Sequence, residues 1–187
     1  MIRSFLAIEV PVPVLKRIEK IQEDLKSSDP DVRWVSPAKI HLTLKFFGDI
    51  EESQIDSIMG SIEKPVQATR PFQIKVRGAG AFPNPKNPRV LWVGLTEGKE
   101  TLSHLQKQLE GSLETIGFQP EDRSFNPHLT LGRVKSGRGK GALAAKIEKY
   151  REEEIGEFQV ERVILFKSDL KPTGPVYTAL KEAKLGG

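Results

Sequence analysis

The sequence predicts a mixed helix-and-sheet protein built as two lobes that face each other across a cleft. Two observations predict it. The tetrapeptide His-Leu-Thr-Leu occurs at residues 41–44 and again at 128–131, 87 residues apart in a chain of 187. Around each copy, stretches with strand periodicity alternate with stretches of helical periodicity in a similar order, and no long linker divides the halves. An old duplication, with one sheet-and-helix plan used twice, accounts for both.

The elements follow in order. Residues 2–9 alternate weakly and stop at Pro11 and Pro13, which reads as a strand and a break. Val14, Ile18, Ile21 and Leu25 recur at helical spacing, so a helix is expected from about Pro13 to Lys26. Ser28–Asp31 is a turn, Val32–Val35 a short strand, and Lys39–Phe47 an alternating strand closed by Gly48-Asp49. A helix over roughly Glu51–Ile62 turns Ile55, Ile58 or Met59, and Ile62 inward. Phe72, Ile74 and Val76 alternate with Gln73, Lys75 and Arg77 as a strand. Ala79–Pro88 reads as a loop, and Arg89–Leu95 is apolar enough for a central strand. Leu102, Leu105, Leu109, Leu113 and Ile116 form a helical stripe that Gly117 can cap. Phe125–Val134 is the strand carrying the second copy. Ser136–Gly141 is a basic loop, Leu143, Ile147 and Tyr150 mark a helix, and Phe158–Lys167 and Val176–Leu180 read as strands.

Composition narrows the chemistry. There is no cysteine, which excludes disulfides, thiolate metal sites and thiol nucleophiles. No apolar run approaches the ~20 residues that cross a bilayer, so no membrane association is expected. The apolar N-terminal stretch is too short for a signal peptide, which makes the cytoplasm the default compartment. A net charge of +4 suits either a polyanion partner or an ordinary solvated surface.

The repeated unit carries the functional signal. Residues two apart on a strand share a face. His41 and Thr43 therefore point away from Leu42 and Leu44, as His128 and Thr130 point away from Leu129 and Leu131. If the lobes meet about a pseudo-twofold axis, two imidazole–hydroxyl pairs confront each other. An imidazole titrates near 6.5, so one ring can take a proton while the other gives one. A phosphorus between them carries two non-bridging oxygens, for which Thr43 and Thr130 can donate hydrogen bonds. No metal or other cofactor is required. Which histidine is the acid is open at this level. The third histidine, His104, falls on the polar face of its helix and reads as solvated.

Two His-x-Thr motifs, one per half, resemble the 2H phosphoesterase superfamily, and most closely its RNA 2′,3′-cyclic phosphodiesterases, also called 2′-5′ RNA ligases. The resemblance runs in order along nearly the whole chain. It covers RSFLAIEVP at 3–11, VRWVSPAKIHLTLKFFGDI at 32–50, GAGAFPNPKNPRVLWVGL at 78–95, FNPHLTLGRV at 125–134 and LFKSDLKPTGPVYT at 165–178. It implies a bilobal α+β fold, with two antiparallel sheets facing a central cleft and helices packed outside. Residues 1–187 would form a single domain of two pseudo-symmetric lobes. It implies hydrolysis of an RNA 2′,3′-cyclic phosphate end to a 2′-phosphate, with His41 as proton donor and His128 as acceptor. A 5′-hydroxyl in place of water would give 2′-5′ ligation on the same residues.

Further substrate-binding positions are expected at Arg133, Lys45 and Phe82. Arg133 matches a family arginine and can bind phosphate bidentately, although strict alternation puts it with the leucines. Lys45 falls on the His41 face. Phe82 and Phe47 can stack on a base, with core packing the competing role for Phe47. Arg89 and Arg123 are further phosphate candidates. The SGRGKG loop lacks the Ser or Thr of a P-loop. The expected partner is RNA with a cyclic phosphate end, met by a monomer. Two alternatives stand beside this reading: a cyclic phosphodiesterase of small nucleotides, such as an ADP-ribose cyclic phosphate, and a non-catalytic RNA-binding protein.

Overall fold

The computed structural model describes residues 1–187. Its strands are β1 (Ile2–Glu9), β2 (Val32–Trp34), β3 (His41–Ile50), β4 (Phe72–Phe82), β5 (Val90–Leu95), β6 (Leu129–Val134), β7 (Glu154–Val160), β8 (Arg162–Lys171) and β9 (Gly174–Lys184). Its helices are α1 (Val12–Lys26), α2 (Ile55–Ala68), α3 (Lys99–Glu114) and α4 (Lys140–Lys149). The strands form two antiparallel sheets, ordered β3-β1-β8-β9 and β2-β6-β5-β4-β7. One continuous apolar core runs through both lobes and takes in Leu42, Leu44, Leu129 and Leu131. No helix is long and apolar enough to cross a membrane.

The sheets superimpose as patterns. β3, β1, β8 and β9 of one correspond to β6, β5, β4 and β7 of the other, with β2 an extra edge strand. The lobes are nevertheless not the two halves of the chain. α2 and α3 pack together over the first sheet, while α1 and α4 cover the second. Each half thus sends its first helix across to the opposite lobe, and the C-terminal hairpin β8–β9 returns to the first sheet. This exchange ties the lobes together without a linker.

Several elements run past their expected limits for local reasons. α2 continues to Ala68 through Pro65, which is buried within it. β4 continues to Phe82 because Gly78, at φ +77°, absorbs a bulge that keeps the strand paired with β5 beyond it. The expected strand over Phe158–Lys167 is two strands that turn at Glu161. β6 starts at Leu129, so His128 stands on the loop that enters it.

The most consequential departure is at Leu44. Ala7 pairs with Thr43 but Leu6 with Lys45, so β3 holds one residue more than β1 at this point. A β-bulge of this kind reverses the face of the side chains that follow it, here Lys45 to Phe47, before a second register shift ahead of Gly48. Strict alternation places Lys45 and Phe47 beside His41 and Phe46 among the leucines; the structure corrects all three. Phe46 is 63% exposed on the His41 face. Phe47 packs edge-on against Phe118 at 5.0 Å between ring centroids. Lys45 turns inward to 5% exposure, where Nζ donates to Glu110 Oε2 at 2.8 Å and to the Gln119 carbonyl at 2.6 Å. That bond pattern engages two of the three ammonium donors, one of them in a structural ion pair.

Removing one member of a buried ion pair strands the other's charge. Lys45→Met is therefore expected to destabilise the protein by roughly 3–5 kcal/mol in urea unfolding, and adding Glu110→Leu to recover most of that loss. A loss of about 1 kcal/mol or less for Lys45→Met, as for a surface pair, would contradict this burial.

Candidate active site

The second copy repeats the bulge. Trp92 pairs with Thr130 but Leu91 with Gly132, so Leu131 is the extra residue of β6, as Leu44 is of β3. The shift carries Arg133 onto the Thr130 face, which simple alternation denied it. Arg133 and Phe46 thus hold equivalent places in the two copies.

Each bulged leucine is held in the same way. Gln22 of α1 is fully buried and its amide donates to the carbonyls of Leu131, at 2.9 Å, and Val35, at 2.8 Å. Gln106 of α3, also buried, donates to the Leu44 carbonyl at 3.4 Å and to Glu110 Oε1 at 3.1 Å. These are the two helices exchanged between lobes. The Leu131 carbonyl also accepts the Val35 N–H at 2.9 Å, so Gln22 adds a second donor there and ties that carbonyl and the Val35 carbonyl to α1. A buried amide from a crossover helix thus reaches the bulge in each copy. Periodicity alone misses these glutamines, but a glutamine beside the apolar stripe of both crossover helices is a visible sequence signal.

The histidines are oriented alike. His41 Nδ1 lies 3.0 Å from the Lys39 carbonyl and His128 Nδ1 lies 2.6 Å from the Asn126 carbonyl. A carbonyl can only accept, so Nδ1 carries the proton in both, leaving Nε2 free of protein partners. Each ring also rests against a phenylalanine from the equivalent strand. His41 meets Phe166 at 4.8 Å and His128 meets Phe82 edge-on at 5.0 Å. His41 additionally touches the ring of Tyr177 at 5.5 Å.

The two copies converge. His41, Thr43, His128, Thr130 and Arg133 line one cavity of about 330 Å³, as do Lys45 and Arg123. Phe82 is outside that cavity, behind His128, in a groove that adjoins it. Arg89 is exposed and lines neither space, and the SGRGKG loop packs against the turn at Ser28–Pro30 instead of the cleft. His104 is exposed on α3, as its polar helix face suggested. No three His, Cys, Asp or Glu side chains converge anywhere in the chain.

Burial holds both imidazoles below their ordinary pKa, although the hydrogen bonds to Lys39 and Asn126 oppose the shift. The remaining influences differ in sign. Glu9, the β1 partner of His41, favours protonation there, while Arg133 disfavours it at His128. The two otherwise equivalent rings are electrostatically unlike: Glu9 favours the protonated form of His41, and Arg133 the neutral form of His128.

Residues 10–172 match the profile of the 2′-5′ RNA ligase superfamily. A Methanothermobacter thermautotrophicus protein named RNA 2′,3′-cyclic phosphodiesterase is 41% identical over 184 residues, covering 98% of this chain and 99% of its own. One of the same name from Aquifex aeolicus is 36% identical over 190 residues, covering 100% of this chain and 99% of its own. Among solved structures, TT0787 of Thermus thermophilus aligns over 99% of this chain and 98% of its own, at a TM-score of 0.78 and 27% identity.

The shared direction of the two imidazole shifts fixes a pH dependence of stability. Unfolded imidazoles titrate near 6.5, and the folded ones lower. The unfolded chain therefore binds protons first as pH falls, so stability is full above about 6.5 and is lost through the folded values. NMR titration of the free protein is expected to place both His41 and His128 below 6.5, and the urea midpoint to fall between pH 7 and 5. Either ring titrating above 6.5 would contradict the burial described.

Proposed function

Because the chain belongs to the 2′-5′ RNA ligase superfamily, we propose that it hydrolyses the terminal 2′,3′-cyclic phosphate of RNA to a 2′-phosphate through paired imidazole acid–base catalysis. The observation that carries the proposal is that both His–Thr pairs line a single cavity of about 330 Å³. The relatives' name supplies the substrate class.

In this reading His128 Nε2, neutral, takes a proton from water as its oxygen attacks phosphorus in line with O3′. His41 Nε2, protonated, delivers a proton to O3′ as the P–O3′ bond breaks. The 2′-oxygen keeps its bond to phosphorus, so the product is a 2′-phosphate and a free 3′-hydroxyl. Glu9 and Arg133 support that division of labour. The hydroxyls of Thr43 and Thr130 and the Arg133 guanidinium donate to the non-bridging oxygens, on which negative charge grows in the transition state. Phe46, exposed on the same face beside Tyr177, offers a surface for the terminal base. Every proton is moved by the protein's own side chains, so we propose a metal-independent reaction by one chain acting as a single domain. A 5′-hydroxyl taking the place of water would form a 2′-5′ linkage by the same proton transfers.

Incubation with RNA ending in a 2′,3′-cyclic phosphate is expected to give only the 2′-phosphate, unaffected by EDTA. His41→Ala and His128→Ala should each lower the rate by roughly 10²–10⁴. The base must be neutral and the acid protonated, and burial lowers both rings, so kcat/KM should be bell-shaped with its maximum below about pH 6.5. Bound phosphate anion favours both imidazolium forms, so the kcat profile should lie at higher pH. Release of a 3′-phosphate, or abolition by EDTA, would overturn the proposal; a faster reaction on a mononucleotide cyclic phosphate than on an oligonucleotide would move the substrate to small nucleotides.

A further inference from the structure

The near-symmetry of the lobes also fails on the strands beside the histidine face. On β1 and β8 of the first lobe, the positions next to the histidine face are Ala7 and its partner Ile164, both buried in a small apolar cluster. Their counterparts on β5 and β4 are Trp92 and Gly80. The exchange of a large and a small residue leaves Gly80 and Trp92 lining a groove of about 590 Å³ in the second lobe. Its floor is the Trp92 indole. A Cβ built on Gly80 would sit 2.4 Å from the indole Cη2 and Cζ2, and one on Gly94 would sit 3.2 Å from Cζ3. The ring therefore lies across two glycines, and its position is possible only because neither bears a side chain. Phe82 stands beside it, 5.2 Å away between centroids, and connects it to His128.

Three features say what such a groove would hold. It shares Asn126, Pro127 and His128 with the central cavity and has no contact with His41. It therefore opens on the side of phosphorus from which the nucleophile arrives, opposite the leaving oxygen. Its floor is a flat aromatic surface of the kind on which bases stack, worth roughly 1–3 kcal/mol per base. The indole Nε1 is buried with no acceptor. The ring face, and not its N–H, is therefore what Trp92 offers to the groove. Finally, the cations at its rim are mostly spent: Arg77 pairs with Glu152 at 3.0 Å and Arg151 with Glu148 at 3.2 Å, leaving Lys99. That balance suits an uncharged group better than a terminal phosphate.

We infer that the groove over Trp92 is a second nucleoside subsite, which seats a nucleoside with a free 5′-hydroxyl so that its oxygen, in place of water, meets the phosphorus beside His128. The inference rests on the assignment of His128 as base in the proposed reaction. In the step it serves, the P–O5′ bond forms as the P–O3′ bond breaks. His128 receives the 5′-hydroxyl proton, His41 gives one to O3′, and the product is a 2′-5′ phosphodiester. No further reactant is consumed, since one P–O ester bond replaces another.

Trp34→Phe leaves Trp92 as the only indole in the chain. Titration of this protein with a 5′-hydroxyl trinucleotide is expected to quench its emission saturably, by about half or more. No quenching up to millimolar acceptor would overturn the subsite, whether or not the protein hydrolyses cyclic phosphates. With cyclic-phosphate RNA and the acceptor together, Trp92→Ala should lower the ratio of joined to hydrolysed product at least ten-fold, through a higher KM for the acceptor. An unchanged ratio would also overturn it. Absence of hydrolysis by the unaltered protein would defeat the proposed function instead, and the fluorescence titration would still decide the subsite.

Discussion

Two carbonyl groups, those of Leu44 and Leu131, mark where the site's side chains change face. Each belongs to the extra residue of a β-bulge, and each is met by a buried glutamine amide from a helix contributed across the lobes. Without the bulge, strand alternation would send Arg133 into the core and leave Lys45, now paired with Glu110, stranded on the cleft face. The apolar part of the motif is consumed in the core, where all four leucines are 3% exposed or less. The histidines and threonines are what the core does not require. Core and cleft are thus the two faces of the same pair of short strands, and the bulges at Leu44 and Leu131 are the points at which their registers change.

Symmetry places the groups; departures from it set their chemistry. Both imidazoles have the same Nδ1 partner two residues back, the same phenylalanine support and the same desolvation. Left identical, they would have no reason to differ in protonation. Glu9 beside His41 and Arg133 beside His128 break the tie: the one favours a protonated ring, the other a neutral one. Glu9 is itself held by Arg162 at 3.0 Å, which tempers its influence. The same reasoning applies to shape. Ile164 and Ala7 close the first lobe where Gly80 and Trp92 open the second.

Much of this is legible in residues 41–44 and 128–131, because a strand has a period of two and a hydrophobic pattern names its inner face. The helices α1, α3 and α4 follow from apolar stripes, and the facing of the two motifs follows from their duplication. What periodicity cannot see is a residue that breaks the period. Leu44 and Leu131 look like ordinary inward leucines, and nothing local marks them as bulged. Lys45, Phe46 and Phe47 therefore each take the face opposite to the one alternation predicts, and the bulge supplies the turn that Arg133 needs. β4 past Gly78 is hidden for a related reason: glycine and proline look like a loop, whereas here glycines serve the bulge and the Trp92 platform. The swap of α1 and α3 between lobes is a long-range choice, and no short window contains it.

The central claim is that two imidazoles from different lobes act on opposite sides of one phosphorus. A crystal structure of the protein with a nucleoside 2′-phosphate tests it most directly. The account predicts both His41 Nε2 and His128 Nε2 within hydrogen-bond reach, about 2.6–3.2 Å, of oxygens on opposite sides of the same phosphorus, with Thr43 and Thr130 on the remaining two. A phosphate held by one lobe only, with the other imidazole turned away from it, would contradict the claim.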